Sequence, residues 1–302
     1  MKIAVVTVTF NDDYKFEQWF SFYKKYCNSI DYHIVVDNGS CPDYLKKVKT
    51  FFKNSVIIEN ESNKGLTKAY NNGIEYILNN TDANYIMLLA NDIDIDGESI
   101  TQMASFLEAN KADMVSPIMF SSDGLIADFG CTIDSFLMLK PYMAGQDKSE
   151  IVEDVNYCDA LTGGCNLAKR LFYEDVGLQD EMLFMYSDEV DMGIRAKKKG
   201  KILASISTAE CYHKHINPNN SEIRRPFSSY LMARNKLYLA NKHHLKNKKA
   251  KIAYMFIKQS IKNFLIGVFK GKKEYRLRSK YIFAGVVKGL KNDMRPNKYT
   301  IV

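Results

Sequence analysis

Short apolar runs alternate with longer runs of helical spacing along the first third of the chain. Residues 3–9, 32–37, 55–59 and 85–89 are the short runs and predict strands. Residues 14–26, 44–52 and 65–78 repeat apolar positions three and four apart and predict helices. This βαβα rhythm predicts an α/β fold, a mostly parallel sheet with helices on both faces. Further on, 114–117 and 202–206 read as strands, and 169–176 and 188–199 as helices, the second stopped by Gly200. From Phe227 onward the pattern is helical almost to the end. The strongest turn cluster, Asn217-Pro218-Asn219-Asn220-Ser221, puts a boundary near 216–226. The expected division is an α/β domain over 1–225 and a basic helical region over 226–302.

Charge sharpens that division. The net charge of +7 over 302 residues hides an asymmetry. Residues 241–302 hold 17 Lys/Arg against 2 Asp/Glu, and residues 1–240 hold 25 against 33. A basic appendage of this kind suits an anionic partner. Within it, residues 251–269 mix apolar positions with Lys251, Lys258 and Lys262 on roughly one face. Such a helix can lie on an anionic membrane surface, or it can cap the first domain with its lysines merely solvated. No nucleic-acid module is recognisable, so nucleic acid is not an expected partner. The six cysteines form no Cys-x-x-Cys pair, which argues against a zinc ribbon or redox motif. Met1-Lys2 leads straight into a strand-like run, and no stretch of about 18 uncharged apolar residues exists. A cytoplasmic, reduced protein is expected, either free or on the inner face of a membrane.

Candidate chemistry begins at Asn91-Asp92-Ile93-Asp94, directly after the run 85–89. Carboxylates at a strand exit stand where open α/β sheets bind ligands. Two of them so close need a cation or donors, and hard oxygen ligands suit Mg2+ or Mn2+. The plain alternative is an acidic turn opening the next helix. At the exit of 32–37, Asp37-Asn38-Gly39 can bond a ribose or base edge, or can simply be turn chemistry. No Gly-x-Gly-x-x-Gly follows the first strand, so a dinucleotide enzyme is not indicated. In Asn63-Lys64-Gly65, Gly65 opens a helix whose first N–H groups favour anions, with Lys64 and Lys68 adding charge. A capped surface helix would explain this equally, except that Asn71 and Gly73 are poor helix formers in its interior.

Two further groups lie in the second half. Asp188, Glu189 and Asp191 crowd a helix start, with Asp188 and Asp191 on one face and Glu189 on another. Acids there also complement the helix dipole. Thr162-Gly163-Gly164 is a turn whose glycines permit close approach to a ligand. His213 and His215 share one side of an extended segment, and imidazole is a common metal ligand. His243 and His244, inside the basic helical region, read as solvated surface.

Taken in this order, the residues resemble a family 2 glycosyltransferase of GT-A fold, in the branch of bacterial rhamnosyl- and related sugar transferases of surface-polysaccharide assembly. The resemblance covers about residues 3–240. It rests on Val6–Asn11, Val36–Ser40, Asn63–Gly73, Leu88–Asp92, Thr162–Gly164, Ser187–Arg195, Tyr212-His213 and Arg234-Asn235. It implies that 1–225 is a catalytic domain with a C-terminal helical extension. It implies that Thr9, Asn11 and Asp37 frame the nucleotide, with Asn38, Lys64, Gly65, Asn71, Asn91, Gly163, Gly164 and Arg195 completing the donor site. Asp92 and His213 match the metal ligands, and Glu189 takes the position of the general base.

Two departures from the family pattern stand out. Ala90 replaces the usual first acid or Asn of the metal motif, leaving Asp92 and Asp94 to suffice. The usual Glu-Asp order is Asp188-Glu189 here, so Asp188 or Asp191 could serve as base instead. The implied reaction is an inverting transfer from a UDP- or dTDP-sugar to a hydroxyl of a glycan or lipid-linked glycan. Two alternatives stay open: a non-catalytic nucleotide-sugar-binding member of the fold, and a sugar-phosphate nucleotidyltransferase. The second lacks the expected Gly-rich basic loop, since Thr9–Asp13 is not one.

Overall fold

A computed structural model describes residues 1–214 and 221–296, with 221–225 described by backbone alone. His215 and the turn residues Asn217-Pro218-Asn219-Asn220 lie outside the described residues. The first half runs β1 (Ile3–Thr9), α1 (Phe16–Tyr26), β2 (Tyr32–Asp37), α2 (Pro42–Phe51), β3 (Val56–Glu59), α3 (Leu66–Asn80), β4 (Tyr85–Leu89), β5 (Ile93–Ile95) and α4 (Gly97–Glu108). There follow β6 (Met114–Phe120), β7 (Ile126–Asp128), β8 (Cys131–Ile133), β9 (Leu139–Pro141), β10 (Val155–Tyr157), β11 (Cys165–Lys169), α5 (Arg170–Val176), α6 (Asp188–Lys198) and β12 (Leu203–His213). Three helices close the chain: α7 (Ser221–Lys242), α8 (Lys246–Phe269) and α9 (Lys273–Leu290).

The main sheet has the order β10-β12-β6-β11-β4-β1-β2-β3, with β5 beside β12 and β7 beside β6. β3, β2, β1 and β4 are mutually parallel, as are β6 and β12. β11 runs antiparallel between β4 and β6, and makes the sheet mixed. The continuous apolar run of β1 follows from burial on both faces. Ile3 and Val5 join one core with α4, through Ile100, Met103 and Leu107. Ala4 and Val6 join the other with α3, through Ala69, Tyr70, Ile74 and Ile77. A Cβ at Gly73 would overlap the Val6 side chain, so this glycine lets α3 lie close on β1. Its presence inside a helix is a packing requirement, not a ligand signal. The expected strand at 202–206 extends to His213 as β12, across an irregularity between Ile206 and Glu210.

The chain forms two compact units: Met1–Thr132 with Leu139–Asp180 and Glu189–Ile216, and a second built from Ile133–Met138, Glu181–Asp188 and Asn217–Val302. The second unit therefore takes in two short excursions as well as the C-terminal helices. Within it, Gly285 and Gly289 of α9 leave room for the α7 backbone at Tyr230 and Arg234. Ser260 of α8 donates to the Ser279 carbonyl at 2.9 Å. His243 is buried, contrary to its reading as solvated surface, whereas His244 is exposed.

Candidate active site

The exits of β1 and β2 are joined by side chains that the turns themselves demand. Asn11, at φ 49°, accepts from the Cys41 N–H at 2.9 Å, and its own N–H donates to Ser40 Oγ at 2.9 Å. Asp37 Oδ2 accepts from the N–H groups of Gly39 and Ser40 at 3.2 and 2.9 Å. Its other oxygen, Oδ1, is buried and has no hydrogen-bond partner among the described residues. Asn38 is saturated instead. It donates to Asn63 Oδ1 and the Gly65 carbonyl, and accepts from Asn60 and from the Lys64 N–H. Asn38 therefore ties the loop before α3 to the β2 exit. Gly65 is buried at φ 89°, and Lys64 is exposed beside it.

Thr9, at the end of β1, is buried, and its hydroxyl bonds the Tyr44 hydroxyl and Asp12 Oδ2. Asn91, just past β4, donates to the same Asp12 oxygen at 2.8 Å. Lys15 lies 3.4 Å from Asp12 Oδ1 and 3.9 Å from Asp92 Oδ2. The second carboxylate near Asp92 is thus Asp12 rather than Asp94. Asp94 sits on β5 opposite Tyr212 and pairs with Lys25 at 2.6 Å. Asp92 lies in the turn before β5 and Asp94 within the strand, so their two-residue spacing does not bring the carboxylates together, and Asp94 meets Lys25 of α1 instead. Asp12, Lys15 and Tyr44 were missed, although two acids directly after the β1 exit repeat the signal read at 91–94.

β12 delivers His213 to Asp92. The Lys214 N–H donates to the Asp92 carbonyl at 2.9 Å, and His213 Nε2 is 3.4 Å from Asp92 Oδ1. Two ligands of one octahedral ion lie about 3 Å apart, so this spacing fits a shared Mg2+ or Mn2+. Among the described residues no three His, Cys, Asp or Glu side chains are grouped to hold a metal. Magnesium commonly takes one or two protein ligands and completes its shell with water and substrate phosphate. The pair fits that share, and the expected three-member set with Asp94 is not assembled.

The Thr162–Gly164 turn connects this edge to α6. The Ala90 N–H donates to the Gly164 carbonyl at 2.7 Å, and the Gly163 N–H donates to Glu189 Oε1 at 3.3 Å. A Cβ on Gly163 would meet the Glu189 carboxylate at 2.8 Å, so a side chain here would displace Glu189 from the turn. Behind the turn, the Thr162 hydroxyl and the Cys131 thiol bond Asp128, a buried carboxylate no motif had flagged. Burial raises the Asp128 pKa, and the hydrogen bonds from Thr162 and Cys131 oppose it.

The other acids of α6 differ from Glu189 in exposure. Asp191 is fully buried and pairs with Arg195 at 2.8 Å. Arg195 also donates to the carbonyls of Val176 and Leu178, at 2.6 and 2.8 Å. These two residues were expected at the base and donor positions; they instead tie α6 to the end of α5. Asn71 likewise clamps the Gln179 backbone, donating to its carbonyl and accepting from its N–H at 2.9 Å each. Asp188 is buried and ends a segment in which Phe184, Tyr186 and Ser187 have φ of 67°, 68° and 70°. Left-handed backbone at three non-glycine residues is costly and persists only where neighbours enforce it. Asn235 does so here, donating to the carbonyls of Leu183, Met185 and Tyr186 at 2.8–3.0 Å.

Residues 6–152 match the family model described as Glycosyl transferase family 2. The low-salt glycan biosynthesis hexosyltransferase Agl10 of Haloferax volcanii is 21% identical over 214 residues, 69% of this chain and 66% of that protein. The N-acetylglucosaminyl-diphospho-decaprenol L-rhamnosyltransferase of Mycobacterium tuberculosis is 36% identical over 86 residues, 28% of this chain and 27% of that one. The matched chain thus spans just under two thirds of the first relative and about a quarter of the second. Among solved structures, S. aureus TarS 1–349 in complex with UDP-GlcNAc has a TM-score of 0.58 at 15% identity, over 96% of this chain and 82% of that one. The mannosyltransferase PcManGT from Pyrobaculum calidifontis, in complex with GDP-Man and Mn2+, has a TM-score of 0.54 at 13% identity, over 96% and 87%. The fold is that of the GT-A glycosyltransferases.

Proposed function

We propose that the chain, whose residues 6–152 match the model of glycosyl transferase family 2, is an inverting sugar transferase. Its donor is a UDP- or dTDP-sugar, and its acceptor a hydroxyl of a glycan or lipid-linked glycan in cell-surface polysaccharide assembly. One observation carries the proposal. The turn at Gly163-Gly164 holds Glu189 with one N–H and the strand exit bearing Asn91-Asp92 with the next carbonyl. A base and a diphosphate-binding edge on either side of one turn are what a single displacement requires.

Glu189 is the only acid of its trio that is both partly exposed and held at that turn. It takes the proton of the acceptor hydroxyl as that oxygen bonds the anomeric carbon. The bond from the anomeric carbon to the diphosphate oxygen breaks in the same step, and the configuration inverts. Mg2+ or Mn2+ at Asp92 and His213, when bound, would offset the charge on the departing diphosphate. The open oxygen of Asp37 accepts from the nucleoside, and Asn38 holds the loop against which the nucleoside rests. The names of the relatives support sugar transfer, while the two neighbours carry different nucleotides, so the base is a question for binding. A lipid-linked acceptor would bring the protein to the cytoplasmic face of a membrane.

Thermal shift with UDP, dTDP, GDP and CMP, each with Mn2+, Mg2+ or EDTA, tests the reading first. One nucleotide, only with metal, is expected to raise the Tm, as any ligand of the native state does. Glu189→Gln is expected to keep that rise and to lower transfer by about 10²–10⁴-fold. No rise with any nucleotide, or undiminished transfer by Glu189→Gln, would overturn the proposal.

A further inference from the structure

Helix α8 is apolar on two opposite sides. Ile252, Phe256 and Gly267 recur along the side that is buried in the helical unit. Tyr254, Ile261, Leu265, Val268 and Phe269 fall along the other, and all are exposed. Phe269, at its end, is 82% exposed. A surface helix of a soluble protein normally keeps one side polar, and an exposed apolar stripe marks a contact surface. A Cβ at Gly267 would meet the Arg276 side chain, so the end of α8 lies against the start of α9. Leu277, the residue after Arg276, is exposed.

Cations border one edge of this surface and its end. Lys251, Lys258 and Lys262 are exposed along the edge of the α8 stripe. The turn from α8 to α9 is Lys270-Gly271-Lys272-Lys273, with Gly271 at φ 63° and all three lysines exposed. The region 241–302 has only 2 acids against 17 Lys/Arg. No helix among the described residues is long and apolar enough to cross a membrane.

We propose that the outer side of α8 and the α8–α9 turn dock on an anionic lipid bilayer. The chemistry selects this occupant over others. Aliphatic and aromatic side chains at helical spacing, flanked by long lysines, match a helix lying in the headgroup region. The lysine stems extend along the apolar stripe while their ammonium groups reach lipid phosphates. A second copy of the chain would set two strongly cationic surfaces face to face. Nucleic acid would use the lysines, but it offers nothing to Ile261, Leu265 and Val268. The inference stands on the helical unit alone and does not depend on the catalytic assignment.

Flotation of the full chain with vesicles tests it. The probes are phosphatidylcholine alone and phosphatidylcholine mixed with phosphatidylglycerol, each at low and high salt. Binding is expected on the mixed vesicles, with loss on pure phosphatidylcholine and release by high salt. The triple variant Lys270→Gln, Lys272→Gln, Lys273→Gln is expected to weaken binding about a hundredfold. Phe269→Ser is expected to weaken it about tenfold at unchanged lipid charge. All four positions are exposed, so an unchanged Tm verifies the fold of each variant. Equal binding to both vesicle types, no binding to either, or indifference to both variants overturns the proposal. So does self-association in the absence of lipid that Phe269→Ser disperses.

Discussion

The strand exits of the α/β unit and the packing of the helical unit both bury polar side chains, and they do so to opposite ends. In the helical unit Arg234, Asn235 and Lys236 are three consecutive buried polar residues. Each directs its donors at backbone carbonyls: Arg234 at Leu183, Asn235 at Leu183 through Tyr186, and Lys236 at Leu137. They hold the two excursions, 133–138 and 181–188, onto the helices. At the rim of the sheet Asp37 is just as buried, yet one of its oxygens has no partner among the described residues. An unsatisfied buried acceptor costs about 1–3 kcal/mol. A saturated polar group is accounted for by the fold; an open one at a strand exit leaves an acceptor that a ligand could meet.

The largest expected effect tests the saturated class by pH. His33 lies in β2, four residues before Asp37, and is buried. Its Nδ1 is 2.7 Å from Ser55 Oγ, its Nε2 is 3.4 Å from Thr7 Oγ1, and its ring stacks on Tyr23 at 4.7 Å. These hydroxyls suit a neutral imidazole, and burial lowers its pKa to about 3. Between that value and the ordinary value near 6.5 the unfolded chain holds a proton that the folded chain does not. The stabilising share is therefore complete above about pH 6.5 and is lost as pH falls toward 3. Its full size is on the order of 5 kcal/mol. Urea unfolding across this range should show the slope of one proton, and His33→Gln should flatten it. A slope that persists in the variant would assign the titration to another group.

Arg234→Ala is the next largest. It removes the donors that satisfy buried carbonyls and leaves a void beside Tyr230, over whose ring the guanidinium lies at 5.6 Å. A loss of about 3 kcal/mol in stability is expected. Nucleotide binding by the variant, measured below its lowered Tm, should be unchanged. A selective loss of binding without loss of stability would move Arg234 out of the structural class.

The strands were legible because they need only local information. β4 is an unbroken apolar run, β1 and β2 are mostly apolar, and the alternation of Ile3, Val5 with Ala4, Val6 assigns the two faces of the sheet. The resemblance was legible because eight short motifs kept their order. The partners of polar side chains were not legible, because they depend on residues far away in sequence. Asn71 meets Gln179, Asp92 meets His213, and Arg195 meets Val176 only after the sheet has formed. Periodicity carries nothing about such pairings. It therefore grouped Asp94 with Asp92, when the side chain of Asp94 belongs to Lys25. It also read Gly73 as a hint of ligand binding, when its missing side chain makes room for Val6. The Arg234-Asn235 motif was visible, but its use was not: Asn235 holds the left-handed segment that leads into α6.

The smallest of the three effects bears most directly on the rim. Asp37→Asn keeps the size of the side chain and one oxygen for the N–H groups of Gly39 and Ser40. It replaces the open, buried carboxylate oxygen with an amide or reorients it, so the charge is gone from the pocket. If Asp37 were structural, the change would lower stability as Arg234→Ala does. If its open oxygen awaits a nucleoside, stability should hold, because the oxygen that accepts from Gly39 and Ser40 is kept and the other had no partner to lose. Nucleotide affinity should fall by about 2 kcal/mol, the contribution of a hydrogen bond to a charged group. The two quantities come from one experiment, a melt of parent and variant with and without nucleotide. An unchanged apo Tm with a diminished ligand shift separates the open class from the saturated one. A lowered apo Tm with an undiminished shift would place Asp37 beside Arg234, and the rim would then be held by the same logic as the helices.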